Sequence, residues 1–255
     1  FWSVPEAAAL LAAPGASALI ARIPSLAPAA GAAIAGPTYN EHAAAFAANG
    51  WQVGPPQDMP GARASVIVHP NNPTGHWHAA APDSALSIVD ESFCDTDPSR
   101  SLIGAATRPG RLILKSFGKF WGLAGLRLGF AIGDPALIAR LAEQLGPWPV
   151  SGPALAIGTA ALSDPDWAAA TRQRLQEDAA RLDRLLTRTF TGTGARVAGG
   201  TPLFRLYETP DAAALQDRLA RHRIWTRIFP WSPTLIRLGL PGPSGWDRLE
   251  QALAG

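Results

Sequence analysis

At 255 residues the chain can bury a full α/β core, as one large domain or as a large and a small one. Apolar residues make up 47% and charged ones 16%, which excludes a disordered chain. The net charge of +2 comes from arginines interspersed with carboxylates, so no basic face for nucleic acid is expected.

Helical apolar spacing runs from Ala7 to Ala13; Pro14 and Gly15 interrupt it, and a new helix opens near Ser17. Pro14, Pro24 and Pro28 keep this alanine-rich start short of membrane-spanning length, and it lacks the basic opening of a signal peptide. No membrane partner is expected, and a cytoplasmic location is. The chain begins at Phe1 and its one methionine is Met59, so residues upstream of Phe1 are expected in the translated protein. The turn Gly15-Ala16-Ser17 offers backbone N–H groups and a hydroxyl, a seat for phosphate that also reads as an ordinary helix cap.

Ala32 to Ala35 reads as a buried strand, Glu41 to Ala48 as a helix closed by Gly50, and Trp51 to Val53 as a second strand. Strand, helix, strand at this spacing is a crossover unit and predicts a parallel sheet. Tyr39 falls at the carboxyl end of the first strand, where open α/β sheets bind ligands, although a buried aromatic plug is the plainer reading. Ala64 to His69 is the next strand and ends in the stiff turn Pro70-Asn71-Asn72-Pro73-Thr74-Gly75. His76 and His78 lack a further ligand cluster, and no metal is expected.

Ser87 to Asp90 is a short apolar strand continued as Asp90-Glu91-Ser92-Phe93. The acid at its end either caps a following helix or pairs with a cation in a site. The lone cysteine, Cys94, excludes an internal disulfide framework and fits a reducing compartment. Next comes Arg111 to Phe130, in which a strand around Leu112 to Leu114 leads through a glycine-punctuated turn to a second strand, Leu128 to Ile132. Of 22 basic residues only Lys115 and Lys119, both here, are lysines. An amine that must attack a carbonyl cannot be an arginine, which stays protonated. Lys115 is the control, because on strand alternation it reads equally as a solvated or paired cation.

Helix Pro135 to Leu145 and the loop Gly146-Pro147-Trp148-Pro149-Val150-Ser151-Gly152-Pro153 follow, and a domain boundary is expected there, dividing 1–147 from 148–255. Two helices come next, the longer opening at Asp164-Pro165 with an apolar stripe of Leu175, Ala179, Leu182 and Leu186. Leu203 to Tyr207, Ile224 to Arg227 and Leu235 to Leu238 read as strands, with a helix from Asp211 to Arg221, and Ser244 to Asp247 reads as a capping box opening a last helix. The pattern predicts a mainly parallel α/β domain followed by a smaller α+β domain.

Taken together, Asn71-Asn72-Pro73-Thr74-Gly75, Asp90-Glu91-Ser92-Phe93, Ser116-Phe117-Gly118-Lys119 and Gly125-Leu126-Arg127 resemble the fold-type I pyridoxal-phosphate enzymes, in the branch of histidinol-phosphate aminotransferase and threonine-phosphate decarboxylase. Each motif alone is a weak match; their order makes the resemblance, which runs from about Leu11 to the C-terminus. It implies pyridoxal 5'-phosphate as cofactor, linked to Lys119, with Asp90 at the pyridine nitrogen, Asn72 at the phenolic oxygen, and Tyr39 and Ser92 on the two ring faces. The phosphate would rest on Ala16, Ser17, Ser116 and Arg127. Arg237 would fork onto the substrate carboxylate, and Arg227 matches a nearby substrate-binding arginine; without the family order both read as strand-surface cations.

Phe93 stands where the aminotransferases usually carry a tyrosine, and Asp-Glu-Ser-Phe is similar to the decarboxylases of cobalamin biosynthesis. The implied reaction is loss of CO2 from O-phospho-L-threonine, giving aminopropanol phosphate. An aminotransferase acting on histidinol phosphate or a related amino acid is the alternative, and a shortened cofactor-binding module without turnover is a third reading. The resemblance also implies a homodimer, and an N-terminal arm and a tyrosine from the neighbouring subunit that this chain does not contain.

Overall fold

The computed structural model describes residues 1–189 and 196–254. Its contacts divide the chain into two compact units, one of residues 1–72 and 77–165, the other of residues 73–76 and 166–255. This division falls after Pro165, later than the expected boundary at 147/148, so the helix after the Gly146–Pro153 loop belongs with the first unit, and the Pro73–His76 turn belongs with the second.

The first unit contains, in order, β1 (Ala9–Ala13), α1 (Ala16–Ile20), β2 (Gly31–Ile34), α2 (Asn40–Ala48), β3 (Gln52–Gly54), β4 (Ala64–Val68), β5 (Leu86–Asp90), β6 (Arg111–Ser116), β7 (Gly129–Gly133), α3 (Pro135–Leu145) and α4 (Gly152–Leu162). The seven strands form one sheet in the order β1-β7-β6-β5-β4-β2-β3. All neighbours from β3 to β6 pair in parallel, while β7 runs antiparallel to both β6 and β1. Every residue of β5 and β7 is buried, as expected where a sheet is covered on both faces.

The segment Ala7–Ala13, expected to be helical, instead supplies the edge strand β1, paired in register from Ala9↔Gly133 to Ala13↔Gly129. Its apolar period is two rather than 3.6. Ala9, Leu11 and Ala13 pack into the core that also holds Ile138 and Leu141 of α3, while Leu10 is turned out to solvent. Alanine's helical preference, a few tenths of a kcal/mol per residue against ordinary residues, is outweighed by pairing with β7.

The second unit holds α5 (Pro165–Thr189), β8 (Arg196–Thr201), β9 (Phe204–Glu208), α6 (Ala212–Arg221), β10 (Arg227–Phe229), β11 (Ser232–Gly239) and α7 (Trp246–Ala254). Its antiparallel sheet has the order β10-β11-β9-β8, and Leu182, Leu186, Leu215, Ile236, Leu249 and Leu253 are among its core residues. Two local expectations are corrected here, and one strand is added. Ile224 does not open a strand: Arg223 adopts a left-handed conformation (φ 59°), and the Ile224 amide donates to the Leu219 carbonyl at 3.0 Å. That is a Schellman closure of α6, so pairing starts only at Arg227. The last helix is entered through a 3-10 turn, Pro243–Gly245, and begins at Trp246. Strand β8 was not anticipated. Its Gly199-Gly200 pair, which weakens any strand signal, lies against the Pro73–His76 turn: the Gly200 amide donates to the Thr74 carbonyl at 2.9 Å, and a Cβ on Gly75 would come within 2.0 Å of the Gly200 carbonyl oxygen.

Candidate active site

The parallel strands β2, β4, β5 and β6 all deliver their carboxyl ends to one edge of the large sheet, and the chain leaves that edge through Tyr39, Asn72, Ser92 and Lys119. Around this edge lies a cavity of about 120 Å³, lined by Ala16, Ser17, Tyr39, Asn72, Asp90, Ser92, Ser116, Lys119 and Arg127 together with Phe93 and the glycines 15 and 118. All nine sequence-predicted residues of the first unit are therefore brought together. Arg227 and Arg237 belong to the second unit, where they face each other as register partners on β10 and β11. Burial, and then the neighbouring Arg227 charge, pull the Arg237 guanidinium below its usual value, and Arg237 also stands 5.2 Å from the Phe204 ring.

Asp90 is buried at the end of β5. Its Oδ1 accepts hydrogen bonds from the Ser92 hydroxyl at 2.5 Å and the Ser92 amide at 2.9 Å, and its Oδ2 lies 2.8 Å from His42 Nε2. Burial alone would raise the Asp90 carboxyl, but the His42 and Ser92 contacts together outweigh it and hold the group below the ordinary carboxylate range. The site thus keeps a dry, ionised carboxylate. His42 was missed by the sequence reading. The signal was available, because His42 follows Tyr39 by one helical turn on α2 and so shares its face, with the two rings edge to face at 6.1 Å. Tyr39 itself has its phenol pushed up, chiefly by burial and then by the Glu41 and Asp90 carboxylates.

At the other end of the cavity, α1 begins at Ala16, so the first N–H groups of that helix have no intrahelical acceptor. Gly15 (φ 86°) brings the chain in so closely that a Cβ there would lie 2.6 Å from Arg127 Nη2, and a Cβ on Gly129 would lie 2.5 Å from the Ala16 nitrogen. Arg127 is itself left-handed (φ 51°) and its Nη1 donates to the Ala124 carbonyl at 3.1 Å. Two glycines thus clear the space in which a guanidinium, helix-start amides and the hydroxyls of Ser17 and Ser116 converge. A phosphate dianion wants this donor set. With an amine at Lys119, a carboxylate at Asp90 and an aromatic face at Tyr39, the residues present fit pyridoxal phosphate.

Asn71, next to the pocket residue Asn72, ties two turns together: it accepts from the Thr38 hydroxyl at 2.6 Å and donates to the Pro37 carbonyl at 2.9 Å. Behind the pocket floor, His69, Glu91 and Cys94 bring one ligand-type atom each to within 4.8 Å of one another. Their lone pairs are already committed. His69 Nδ1 accepts from the His78 amide at 3.1 Å, which leaves Nε2 as the N–H that donates to the Arg100 carbonyl at 2.7 Å. Glu91 is bonded by Lys115 Nζ at 2.6 Å and by the Leu102 amide at 2.6 Å, and burial pushes the Cys94 thiol up, away from thiolate. The cluster is a structural one.

A family model described as aminotransferase class I and II matches residues 3–244. The chain is 43% identical over 260 residues to a threonine-phosphate decarboxylase of Sinorhizobium sp, covering 94% of this chain and 76% of that one. It is 40% identical over 258 residues to a threonine-phosphate decarboxylase of Pseudomonas aeruginosa, with the same coverage of both chains. The crystal structure of histidinol-phosphate aminotransferase from Sinorhizobium meliloti in complex with pyridoxal-5'-phosphate superposes with a TM-score of 0.81 at 20% identity, over 96% of this chain and 75% of that one.

Proposed function

Because the chain belongs to the aminotransferase class I and II family, we propose that it is a pyridoxal-phosphate-dependent decarboxylase that converts O-phospho-L-threonine to aminopropanol phosphate and CO2. The substrate follows from the identity of 43% and 40% to threonine-phosphate decarboxylases across 94% of the chain. The observation that carries the chemistry is the single pocket in which Lys119, Asp90 and Arg127 meet.

When bound, the cofactor supplies a conjugated ring that accepts the electron pair of a bond broken at the substrate's α-carbon. The residues do the rest. Asp90, held ionised by Ser92 and His42, keeps a proton on the pyridine nitrogen, and each pKa unit so gained is worth about 1.4 kcal/mol. Arg127, Ser17, Ser116 and the amides of Ala16 and Ser17 would hold the phosphate, Tyr39 and Ser92 would flank the ring, and Asn72 would bond its phenolic oxygen. Loss of the carboxylate as CO2 leaves the α-carbon one proton short, and Lys119 Nζ delivers that proton. Phe93 leaves an aromatic face without a phenol 5.3 Å from that amine. Arg237 and Arg227 bind the anionic groups of the substrate, a role supported by their cross-strand pairing on β10 and β11.

The protein works as a homodimer in the cytoplasm. Helix α4 supports the first part: it is apolar on all sides, yet Leu155 and Ile157 are 44% and 45% exposed. Supplying purified protein with pyridoxal phosphate and O-phospho-L-threonine and following products tests the reaction. CO2 with an amino-alcohol phosphate is expected; a keto acid with no CO2 would make the protein an aminotransferase, and cofactor absorbance with neither product would make it a binding module.

A further inference from the structure

Lys119 is exposed, so burial does not fix it. Its place is set by its neighbours Phe117, Phe120 and Trp121, which are 0%, 3% and 4% exposed. The turn between them is closed by two backbone bonds, Gly122 N–H to the Lys119 carbonyl at 3.1 Å and Leu123 N–H to the Phe117 carbonyl at 3.0 Å. Two of the three aromatics are phenylalanines, whose rings carry no N–H or O–H to donate. Trp121 has one: its Nε1–H donates to Asp95 Oδ2 at 2.8 Å in a buried setting, while its ring stacks on Phe117 at 5.5 Å and 16°.

Asp95 is itself held still. It is 2% exposed, its Oδ1 accepts from Trp2 Nε1 at 2.9 Å, and Lys115 Nζ lies 3.5 Å from the same oxygen. Lys115 is in turn locked on Glu91 at 2.6 Å, the residue that follows Asp90. A chain of charged, directional contacts therefore runs from the Asp90-Glu91 strand end through Lys115 and Asp95 to the turn that carries Lys119. Charge-assisted bonds of this kind are the strong, geometry-fixing ones.

We propose that Asp95 is a positioning residue for the reaction: through Trp121 it registers the Lys119 turn against the strand that carries Asp90. The proposal rests on Lys119 being the cofactor-linked amine, and it assigns the two oxygens of Asp95 different duties. Oδ2 serves the lysine turn; Oδ1 accepts from Trp2 and faces Lys115, the link back to the strand end.

The test compares Trp121→Phe, which keeps a ring on Phe117 but deletes the N–H, with Trp2→Phe, which deletes the other indole donor to the same carboxylate. Asp95→Asn, with one acceptor oxygen instead of two, is the third variant. In cofactor-free protein, hydrogen exchange at the Gly122 and Leu123 amides should speed up in Trp121→Phe and Asp95→Asn and stay unchanged in Trp2→Phe. On adding pyridoxal phosphate, growth of the lysine-linked absorbance should be roughly tenfold to a hundredfold slower in the same two variants, the scale on which misplacing a reacting group by an ångström acts. Equal exchange and capture in Trp121→Phe and the unaltered protein would overturn the proposal, as would a Trp2→Phe variant as impaired as Trp121→Phe at a matched unfolding midpoint. Should Trp121→Phe fail to fold, the contrast of Asp95→Asn with Trp2→Phe decides by the same criteria. Failure of the underlying reading looks different, since the unaltered protein would then show no lysine-linked absorbance at all.

Discussion

Lys115 and Lys119 leave the same strand end and meet opposite environments. Lys115 is 1% exposed, held between Glu91 at 2.6 Å and Asp95 at 3.5 Å behind the pocket floor, whereas Lys119 is exposed at the pocket itself. A cation shut inside a protein must bring its counter-charges with it, because its desolvation is worth several kcal/mol. One that is to react must stay reachable from the pocket. The same split divides the two acids that adjoin in sequence. Asp90 turns into the pocket, and Glu91 turns behind it to Lys115, Ser101 and Leu102.

Removing the exposed member should erase function and spare the fold. Lys119→Ala is expected to lose the lysine-linked cofactor absorbance and all turnover, with stability within roughly 0.5 kcal/mol of the unaltered protein, as for other exposed substitutions. A surviving absorbance would assign the reactive amine elsewhere. Next in size is the pocket acid. Asp90→Asn should lower the decarboxylation rate by on the order of 10²–10³, the cost of deleting one preorganised electrostatic contact, while pyridoxal-phosphate affinity changes far less. Full activity in that variant would remove the ring-nitrogen role.

Removing the buried member should do the reverse. Lys115→Met strands the Glu91 and Asp95 carboxylates without their cation and is expected to cost about 3–5 kcal/mol in denaturant unfolding. Adding Glu91→Gln to it should recover part of the loss. The pH dependence carries the same signature. Burial alone would lower the Lys115 ammonium, but Glu91 and Asp95 outweigh it and raise the group above its ordinary 10.5. A raised folded value means that its stability is fully present below 10.5 and is lost as pH rises through the raised value. Unfolding midpoints measured across that alkaline range should therefore fall less steeply in Lys115→Met than in the unaltered chain.

How far the sequence discloses this arrangement depends on how local each cause is. The four motifs end strands or open turns, so their order along the chain was enough to mark Asp90, Lys119 and Arg127 as candidates for one site, and the fold lines all three along one pocket. What escaped were partners supplied by other elements. His42 belongs to none of the four motifs, and only the placing of α2 brings it onto Asp90. Asp95 belongs to none of the four motifs, and its place is set by Trp2 and Trp121, which donate to it from distant parts of the chain. Lys115 was left open between solvated and paired because a strand alternates its faces, and only a sheet covered on both sides makes the second face dry. The edge strand Ala9–Ala13 was read as helix because alanine is small enough to obscure the difference between a period of two and one of 3.6, a choice that pairing with β7 then settled.

Two serines offer the finest test of the division between reactive and structural acids, because each donates its hydroxyl to one of the adjoining carboxylates. Ser92 Oγ lies 2.5 Å from Asp90 Oδ1, and Ser101 Oγ lies 2.6 Å from Glu91 Oε2. A hydrogen bond to a charged group contributes about 1.5–3 kcal/mol, so Ser92→Ala and Ser101→Ala should destabilise the fold by similar amounts in that range. Their effects on pH dependence should differ. Asp90 sits below its ordinary 3.8, so its stability is present above that value and is lost as pH falls through the depressed one. Ser92→Ala removes one cause of the depression while His42 and the Ser92 amide remain, so the acid limb of both stability and cofactor-dependent activity should move to higher pH. Ser101→Ala leaves every contact of Asp90 in place, and its activity profile should keep the acid limb of the unaltered protein. Matching shifts in the two variants would mean that Asp90 and Glu91 titrate as one network, and the separation of reactive from structural carboxylate would be lost.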